Sequence, residues 1–176
     1  MTKLRIGIVG LGMAVTPHAR GLMDLADTVE VAHAFSPSAE RRAAFAGRFP
    51  FPLADSLDAI LDDRTVDAVL VLTPANTHLD IVRRCADAGK HVLLEKPIEI
   101  TSARAEAVVA VCRAAGVTLG IVLQHRFRPA AMTLAGEIAT GALGEIVGCS
   151  TVIRLWRPQS YYDEPGRGSF ARDGGG

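Results

Sequence analysis

The stretch from Leu4 to Val15 constrains the fold of this chain more than any other part of the sequence. It begins with an apolar run that suits a strand buried on both faces, and Gly10 and Gly12 follow where such a strand would turn tightly into a helix. Gly10 permits the tight turn. Gly12 permits the backbone to approach a pyrophosphate, whose charge is favoured by the N-terminus of a helix that begins near Met13. The stretch therefore indicates a dinucleotide-binding strand, turn and helix.

One position of the glycine pattern is not met. Val15 stands where dinucleotide-binding turns of this kind carry a third glycine, so the helix and strand must pack slightly further apart or the turn must differ. A plain strand, turn and helix that binds no nucleotide is the alternative at this point.

The composition predicts a globular protein with one good core and part of a second domain. The chain has 176 residues, of which 49% are hydrophobic. Nineteen basic and nineteen acidic residues cancel, no basic cluster stands out and only 5% of residues are aromatic, so a nucleic-acid partner is not expected. No apolar run approaches the length of a membrane span, and the apolar stretch near the N-terminus is broken by glycines. Neither a membrane protein nor a secreted one is expected.

The cysteines indicate a cytoplasmic protein. Cys85, Cys112 and Cys149 are odd in number, far apart and free of Cys-x-x-Cys spacing. This pattern is typical of reduced thiols, and no metal site is predicted. We expect Cys85 and Cys112 to be small buried residues on helices.

Strands and helices alternate along the first 123 residues. The predicted strands after the first are Val29 to Phe35, Val66 to Leu72, His91 to Leu94 and Val117 to Leu123, the last numbered as a sixth strand. The predicted helices are Pro17 to Ala26, one capped by Ser38 and ending at Gly47, one from Asp55 or Ser56 to Leu61, Leu79 to Ala88, and Thr101 to Ala115. This alternation predicts an α/β fold with a doubly wound parallel sheet and right-handed crossovers.

The residues after the second predicted strand bear on the choice of nucleotide. An acidic residue there usually binds the ribose hydroxyls of NAD, whereas small polar residues with nearby arginines accommodate the 2′-phosphate of NADP. This chain has Ser36 and Ser38, followed by Arg41 and Arg42. NADP is therefore slightly favoured over NAD, although a helix cap at Ser38 with arginines on the solvent side accounts for the same residues.

Two later loops are predicted at the same edge of the sheet as the glycine turn, because both leave the carboxyl ends of parallel strands. One runs from Thr73 to His78 and the other begins at Glu95-Lys96-Pro97. A lysine beside a nicotinamide can hydrogen-bond a substrate hydroxyl. The simpler interpretations are a turn with Thr77 as a helix cap, and a surface charge pair before a proline.

Taken in order, these stretches resemble the glucose-fructose oxidoreductase and inositol dehydrogenase family, whose members use NAD(P) to oxidise or reduce sugars, cyclitols and related compounds. The stretches that carry the resemblance are Gly10-Leu11-Gly12 with His18, Thr73-Pro74-x-x-x-His78, Ala88 to Pro97, Arg126-Phe127-x-Pro129 and Gly141-x-x-Gly144. The run that ends in Glu95-Lys96-Pro97 is highly specific. The resemblance covers the whole chain and implies an NAD(P)-binding Rossmann domain over residues 1–123.

The resemblance also implies roles for particular residues. Those expected to contact the cofactor are Gly10, Leu11, Gly12, Met13, Ser36, Arg41, Thr73, Pro74, Asn76, His78, Glu95 and Lys96. Among these, Glu95 is expected at the nicotinamide ribose, and Lys96 is expected to be catalytic by binding the reacting hydroxyl or carbonyl. The peptide bond between Lys96 and Pro97 is expected to be cis.

After residue 123 the pattern changes. Ala130 to Thr140 predicts a helix and Ile146 to Trp156 a long alternating strand. By resemblance, residues 124–176 are the beginning of a truncated α+β domain that carries substrate contacts and the subunit interface, so a homo-oligomer is expected. Arg126, Trp156 and Arg157 are expected to face a small-molecule sugar or polyol substrate. Packing between domains is the alternative role for these residues.

The sequence also departs from the family pattern. Family members are considerably longer and carry an Asp-x-x-x-His motif that is absent here, whose histidine is the usual proton acceptor. We therefore predict the cofactor-binding half of an NAD(P)-dependent oxidoreductase of sugar, polyol or cyclitol hydroxyls, inactive on its own. The alternatives are a module that binds NAD(P) without turnover and a structural subunit without a cofactor.

Overall fold

A parallel sheet of five strands organises the first part of the chain in the computed structural model, which describes residues 2–174. The strands are β1 (Leu4–Val9), β2 (Val29–Phe35), β3 (Ala68–Val71), β4 (His91–Glu95) and β5 (Leu119–Val122). Their order in the sheet is β2-β1-β3-β4-β5, and every neighbouring pair is parallel. The predicted α/β class is confirmed.

The number of strands differs from the prediction. The sheet has five strands within the described residues, so the numbering of Val117 to Leu123 as a sixth strand is wrong. The connector after the second helix runs beside β2 but makes only one isolated bridge, between Leu53 and Ala34. The proline at position 52 has no N–H to donate to a ladder, which limits pairing there.

Five helices lie between the strands as the sequence predicts, with small shifts at their ends, and three more follow the last strand, of which the two short ones, at 159–162 and 170–173, are not predicted. They are α1 (Val15–Asp24), α2 (Ala39–Ala46), α3 (Leu57–Leu61), α4 (His78–Asp87), α5 (Ser102–Ala114), α6 (Pro129–Ala139), α7 (Gln159–Tyr162) and α8 (Phe170–Asp173). The hydroxyls of Ser38, Ser56 and Thr101 each accept a hydrogen bond from the N–H three residues later, which confirms these caps. Thr77 occupies the N-cap position of α4, as predicted, but its hydroxyl caps no N–H group and instead donates to the carbonyl of Pro74 within a 3₁₀ turn.

Two hydrophobic cores lie on opposite faces of the sheet. Alternation along the strands places Ile8 and Leu70 against the face covered by α1 and α2. Val69 and Leu94 point to the other face, which α3, α4 and α5 cover. Cys85 and Cys112 are buried in this second core, as predicted. Burial raises the pKa of the Cys85 thiol to about 12, so both cysteines serve as packing residues.

The chain divides into two units. Residues 1–122 together with 168–176 form the first, and residues 123–167 form the second. In the second unit, α6 confirms the helix predicted from Ala130 to Thr140. The strand predicted from Ile146 to Trp156 is wrong, since the segment is not paired with any other part of the described chain. A strand requires a hydrogen-bonded neighbour, and without one the segment stays irregular with Val147 94% exposed.

Replacement of Gly10 by alanine tests the close approach of β1 to the end of β3. Gly10 has φ 103°, and a Cβ atom there would lie 2.7 Å from the carbonyl carbon of Leu72. We expect Gly10→Ala to lower the free energy of unfolding by about 3 kcal/mol, from backbone strain together with overpacking. Urea denaturation measures this loss.

Gly89→Ala is the matched control. Gly89 has φ 71°, but a Cβ atom there would meet nothing within 4 Å. We expect a loss of about 1 kcal/mol, from backbone strain alone. Equal losses in the two variants would contradict the role of the close approach.

Candidate functional site

Three loops leave the sheet at the same edge. Because β1, β3 and β4 are parallel neighbours, the loops after Val9, Val71 and Glu95 all begin at the carboxyl ends of their strands. The Leu72 N–H donates to the carbonyl of Val9 at 2.7 Å, and the Gly10 N–H donates to the carbonyl of Phe35 at 2.9 Å. Ligands bind at this edge in open α/β sheets, particularly where strand order reverses, as it does here between β1 and β3.

The glycine turn leads directly into the N-terminus of α1. A Cβ atom on Gly12 would have no neighbour nearer than 3.8 Å, so the turn is open to a ligand. The helix has no side-chain cap at Ala14. The Val15 N–H donates to the Gly12 carbonyl and Pro17 has no N–H, so it is chiefly the positive end of the helix dipole that favours an anion here. Val15, which replaces the third glycine, is 2% exposed and packs in the core under α1. The substitution is therefore accommodated by hydrophobic packing, and the turn is retained.

The loop after β2 brings cationic groups towards this turn. Ser36 is buried, and its carbonyl accepts a hydrogen bond of 2.5 Å from the Arg42 guanidinium. The terminal guanidinium nitrogen of Arg41 lies 3.8 Å from the position that a Cβ on Gly12 would occupy. Arg41 therefore spans from α2 to the glycine turn, while Arg42 fixes the backbone of the loop. The sequence alone does not distinguish the role of Arg42 from that of Arg41.

His78 joins two of the loops. Its ring is 1% exposed, with Nδ1 3.1 Å from the carbonyl oxygen of Ile98 and Nε2 2.9 Å from that of Thr73. Both ring nitrogens thus face backbone carbonyls, and neither is directed to a ligand. The His78 side chain links the loops after β3 and β4, and its expected contact with a cofactor stays a prediction. Thr73 and Pro74 are half-buried and Asn76 is exposed, so these three remain available at the edge.

Glu99 is a buried carboxylate that sequence reasoning missed. It accepts hydrogen bonds from the N–H groups of Leu79 at 3.1 Å and Ile100 at 2.7 Å, and from the Arg104 guanidinium at 2.9 Å. Burial opposes ionisation, but these hydrogen bonds outweigh it and lower the pKa of Glu99. The carboxylate ties the loop after β4 to the starts of α4 and α5. The one feature of the sequence that could have indicated a buried carboxylate is an acidic residue between two isoleucines, Ile98 and Ile100.

Glu95 and Lys96 stand at the end of β4. The peptide bond between Lys96 and Pro97 is cis, which confirms the prediction. Glu95 is half-buried, and its two oxygens contact the His18 ring at 3.2 Å and the Lys96 N–H at 2.7 Å. Burial opposes ionisation of Glu95, but the hydrogen bonds from His18 and Lys96 outweigh it and lower its pKa. The Lys96 side chain is exposed, so a carboxylate and an ammonium group are both presented at this edge.

The residues predicted to contact substrate belong to the second unit. Arg126, Trp156 and Arg157 are all exposed there, with Trp156 at 80%. The Arg157 guanidinium lies over the Tyr161 ring at 5.3 Å, a cation–π contact within the same unit. Their roles towards a substrate remain predictions.

A cavity of about 350 Å³ lies between α1 and the start of β2. Its lining is mainly apolar and includes Leu22, Val29 and Phe51. It is at the amino-terminal end of the sheet, opposite the three loops, and it lacks convergent polar groups. It is therefore not a candidate for the site.

Neither a membrane span nor a metal centre is found in residues 2–174. No helix there is both long and apolar enough to cross a bilayer. No three or more His, Cys, Asp or Glu side chains are grouped so that they could hold a metal ion.

Known proteins share this fold and sequence pattern. The family model described as an oxidoreductase family with an NAD-binding Rossmann fold matches residues 4–122. The chain is 34% identical over 145 residues to inositol 2-dehydrogenase of Rhizobium meliloti, covering 81% of this chain and 43% of that protein. It is 31% identical over 176 residues to the rhizopine catabolism protein MocA of Rhizobium meliloti, covering 100% of this chain and 53% of that protein.

A solved structure extends this similarity. The WlbA dehydrogenase from Bordetella pertussis, in complex with NADH and UDP-GlcNAcA, superimposes with a TM-score of 0.83 at 28% identity. The match covers 98% of this chain and 53% of that one. The chain thus spans about half the length of the relatives it matches.

Glu99→Gln tests the buried carboxylate. We expect the free energy of unfolding to fall by about 1 to 3 kcal/mol at pH 7, because Arg104 loses its charged partner. A lowered pKa in the folded state stabilises the fold at pH values above the unfolded carboxyl value of about 4.3. The difference between wild type and variant should therefore shrink as the pH falls below that value, and it is lost once the pH is below the lowered pKa of Glu99 in the folded state. Denaturation at pH 7 and pH 3 measures this.

The control is Glu106→Gln, which removes an exposed carboxylate from α5. A pH-independent loss in Glu99→Gln, or an equal loss in the control, would contradict the assignment.

Proposed function

Because the chain belongs to the oxidoreductase family with an NAD-binding Rossmann fold, we propose that it provides the cofactor-binding half of an NAD(P)-dependent oxidoreductase. The proposed substrates are sugars, polyols or cyclitols, oxidised or reduced at a hydroxyl-bearing carbon. One observation carries the proposal: the glycine turn after β1, the loop after β3 and the Glu95-Lys96 pair after β4 share one edge of a parallel sheet.

The residues present fit a dinucleotide. The open backbone at Gly12 and the uncapped start of α1 suit the pyrophosphate. The Glu95 carboxylate suits the hydroxyls of the nicotinamide ribose, because it keeps acceptor positions beyond those used by His18 and Lys96. Thr73, Pro74 and Asn76 would line the nicotinamide side.

The bound nicotinamide supplies the hydride chemistry. In oxidation, that chemistry would be the removal of a hydride from the hydroxyl-bearing carbon of the substrate. The exposed Lys96 ammonium would donate a hydrogen bond to the substrate oxygen and stabilise its developing negative charge, while the hydroxyl proton would pass to solvent water. Orientation of the hydroxyl by Lys96 would also direct the C–H bond towards the nicotinamide.

We propose NADP as the favoured cofactor. Ser36 and Ser38 follow β2 with no carboxylate to repel a 2′-phosphate, and the Arg41 guanidinium reaches the glycine turn beside them. A guanidinium forms strong, charge-assisted hydrogen bonds to phosphate.

We also propose a cytoplasmic homo-oligomer that assembles through the second unit. The three free cysteines favour a reducing compartment. Exposed apolar side chains such as Val147, Ile153 and Trp156 favour burial against another polypeptide.

The alternative is a module that binds NAD(P) without turnover. Titration of residues 1–176 with NADPH and NADH, followed by nucleotide fluorescence, tests nucleotide binding, and a panel of polyols assayed with a full-length protein that contains this half tests turnover. Binding by this chain together with oxidation of a polyol by the full-length protein supports the oxidoreductase, and binding without turnover even in the full-length protein supports the module. Failure to bind either nucleotide would contradict both.

Arg41→Ala tests the cofactor preference. We expect the affinity for NADPH to fall about tenfold through loss of a charged contact to the 2′-phosphate, with that for NADH nearly unchanged. Arg113→Ala, at the exposed end of α5, is the control and should change neither affinity. Similar losses of affinity for NADPH and NADH in Arg41→Ala would show that Arg41 does not contact the 2′-phosphate.

Lys96→Ala tests the catalytic assignment. In a full-length enzyme that contains this half, we expect Lys96→Ala to lose nearly all turnover of a polyol that the wild type oxidises, with the nucleotide dissociation constant changed less than about threefold. Steady-state kinetics and fluorescence titration separate the two effects, and Lys3→Ala, on the exposed N-terminal segment, is the control. A variant that keeps most of its kcat would show that the role of Lys96 is misassigned.

A further inference from the structure

His18 and Glu95 connect two separate parts of the candidate site. His18 lies on α1, directly after the glycine turn, and Glu95 ends β4. The His18 Nε2 atom is 3.2 Å from the Glu95 Oε1 atom, and both side chains are largely buried, with exposed fractions of 18% and 14%. Because β3 lies between β1 and β4, this contact crosses the carboxyl end of β3.

The placement of both side chains follows from the secondary structure. Val92 and Leu94 of β4 point into the core under α4 and α5, so Glu95 lies on the opposite face of the sheet. That face is the one covered by α1. Val15 and Ala19 anchor α1 in the core, and His18 projects beside them towards β4.

The contact holds the carboxylate from a second direction. One Glu95 oxygen faces the His18 ring, and the other accepts a 2.7 Å hydrogen bond from the Lys96 N–H. A carboxylate has about four acceptor positions, so two remain for other donors. Without His18, only the adjacent backbone N–H would restrain the carboxylate, and its side chain could rotate.

We propose that His18 is a positioning residue for the cofactor: it holds the Glu95 carboxylate in the orientation that accepts the hydroxyls of the nicotinamide ribose. The inference rests on the proposed function and adds a residue outside the glycine turn and the Glu95-Lys96 pair. His18 acts through Glu95, and its Nε2–H donor suffices for this task in the neutral ring. The carboxylate then needs no reorganisation when the ribose arrives.

Two substitutions of His18 separate positioning from packing. His18→Ala removes the donor, whereas the amide nitrogen of His18→Gln can donate to Glu95 from a similar position. Thr16→Ala is the matched control on the same turn of α1, since Thr16 accepts a hydrogen bond from Arg48 on the surface and does not contact Glu95.

The ligands are chosen to locate the effect along the dinucleotide. ADP, ADP-ribose and NADH share one adenosine end, and ADP lacks the second ribose; their 2′-phosphorylated counterparts form an equivalent series. Calorimetric titration uses whichever series the wild-type chain binds more tightly. We expect His18→Ala to weaken ADP-ribose and NADH binding about five- to tenfold, with ADP changed less than about twofold. His18→Gln should restore affinity to within about threefold of wild type, and Thr16→Ala should match wild type.

Several outcomes would overturn the inference. Equal weakening of all three ligands by His18→Ala would show a general effect on α1, and weakening of NADH alone would place the effect at the nicotinamide ring. Unchanged affinities, or no recovery in His18→Gln, would also overturn it. Normal wild-type binding in these cases would leave the proposed function standing, whereas a wild-type chain that binds none of the ligands would remove both.

Discussion

The close approach of the Gly10 backbone to Leu72 and Thr73 is the constraint on which the candidate site depends. At Gly10 the chain leaves β1 with a positive φ, and the backbone at the end of β3 occupies the space where a side chain would stand. This contact brings the glycine turn beside the loop after β3, and α1 follows the turn and packs on one face of the sheet. The hydrophobic cores on both faces then fix the sheet that carries these loops.

Buried polar groups fix the loops at the carboxyl-terminal edge of the sheet. The loop after β4 is held by the Ile98 carbonyl against His78 and by the Glu99 carboxylate against the start of α4. Such groups are stable in the interior only when they are hydrogen-bonded, so each fixes the backbone that it contacts. The other end of the sheet uses the same principle: the buried Lys90 ammonium donates to the carbonyls of Asp63 and Val66, each at 2.8 Å. Lys90 is thus held away from the candidate site, whereas Lys96 is exposed at it.

The sequence predicts best those features that depend on neighbouring residues. The glycine turn, the caps at Ser38 and Thr101 and the parallel sheet of a chain that alternates strands and helices all follow from local pattern and general rules of topology, whereas the order of the strands was not predicted. The cis peptide bond before Pro97 was predicted from the family resemblance. In contrast, the contact of His18 with Glu95 joins residues 77 positions apart, and no periodicity indicates it.

The clearest error concerns the segment from Ile146 to Trp156. Its alternating apolar residues suit a strand, but a strand needs a hydrogen-bonded neighbour, and the described residues provide none for it. The surroundings of His78 could not be predicted for a related reason, because the Ile98 carbonyl that its ring contacts lies 20 residues away in the sequence. The sequence pattern shows which residues suit a strand or a binding site, but contacts with distant parts of the chain determine the structure that they adopt.

Amide chemical shifts of residues 1–176 during titration with NADPH test most directly whether the loops after β1, β3 and β4 bind one dinucleotide together. We expect the amides of Gly12, Thr73 and Lys96 to shift along one saturation curve. Shifts restricted to a single loop, or clustered around the cavity beside Phe51, would contradict it.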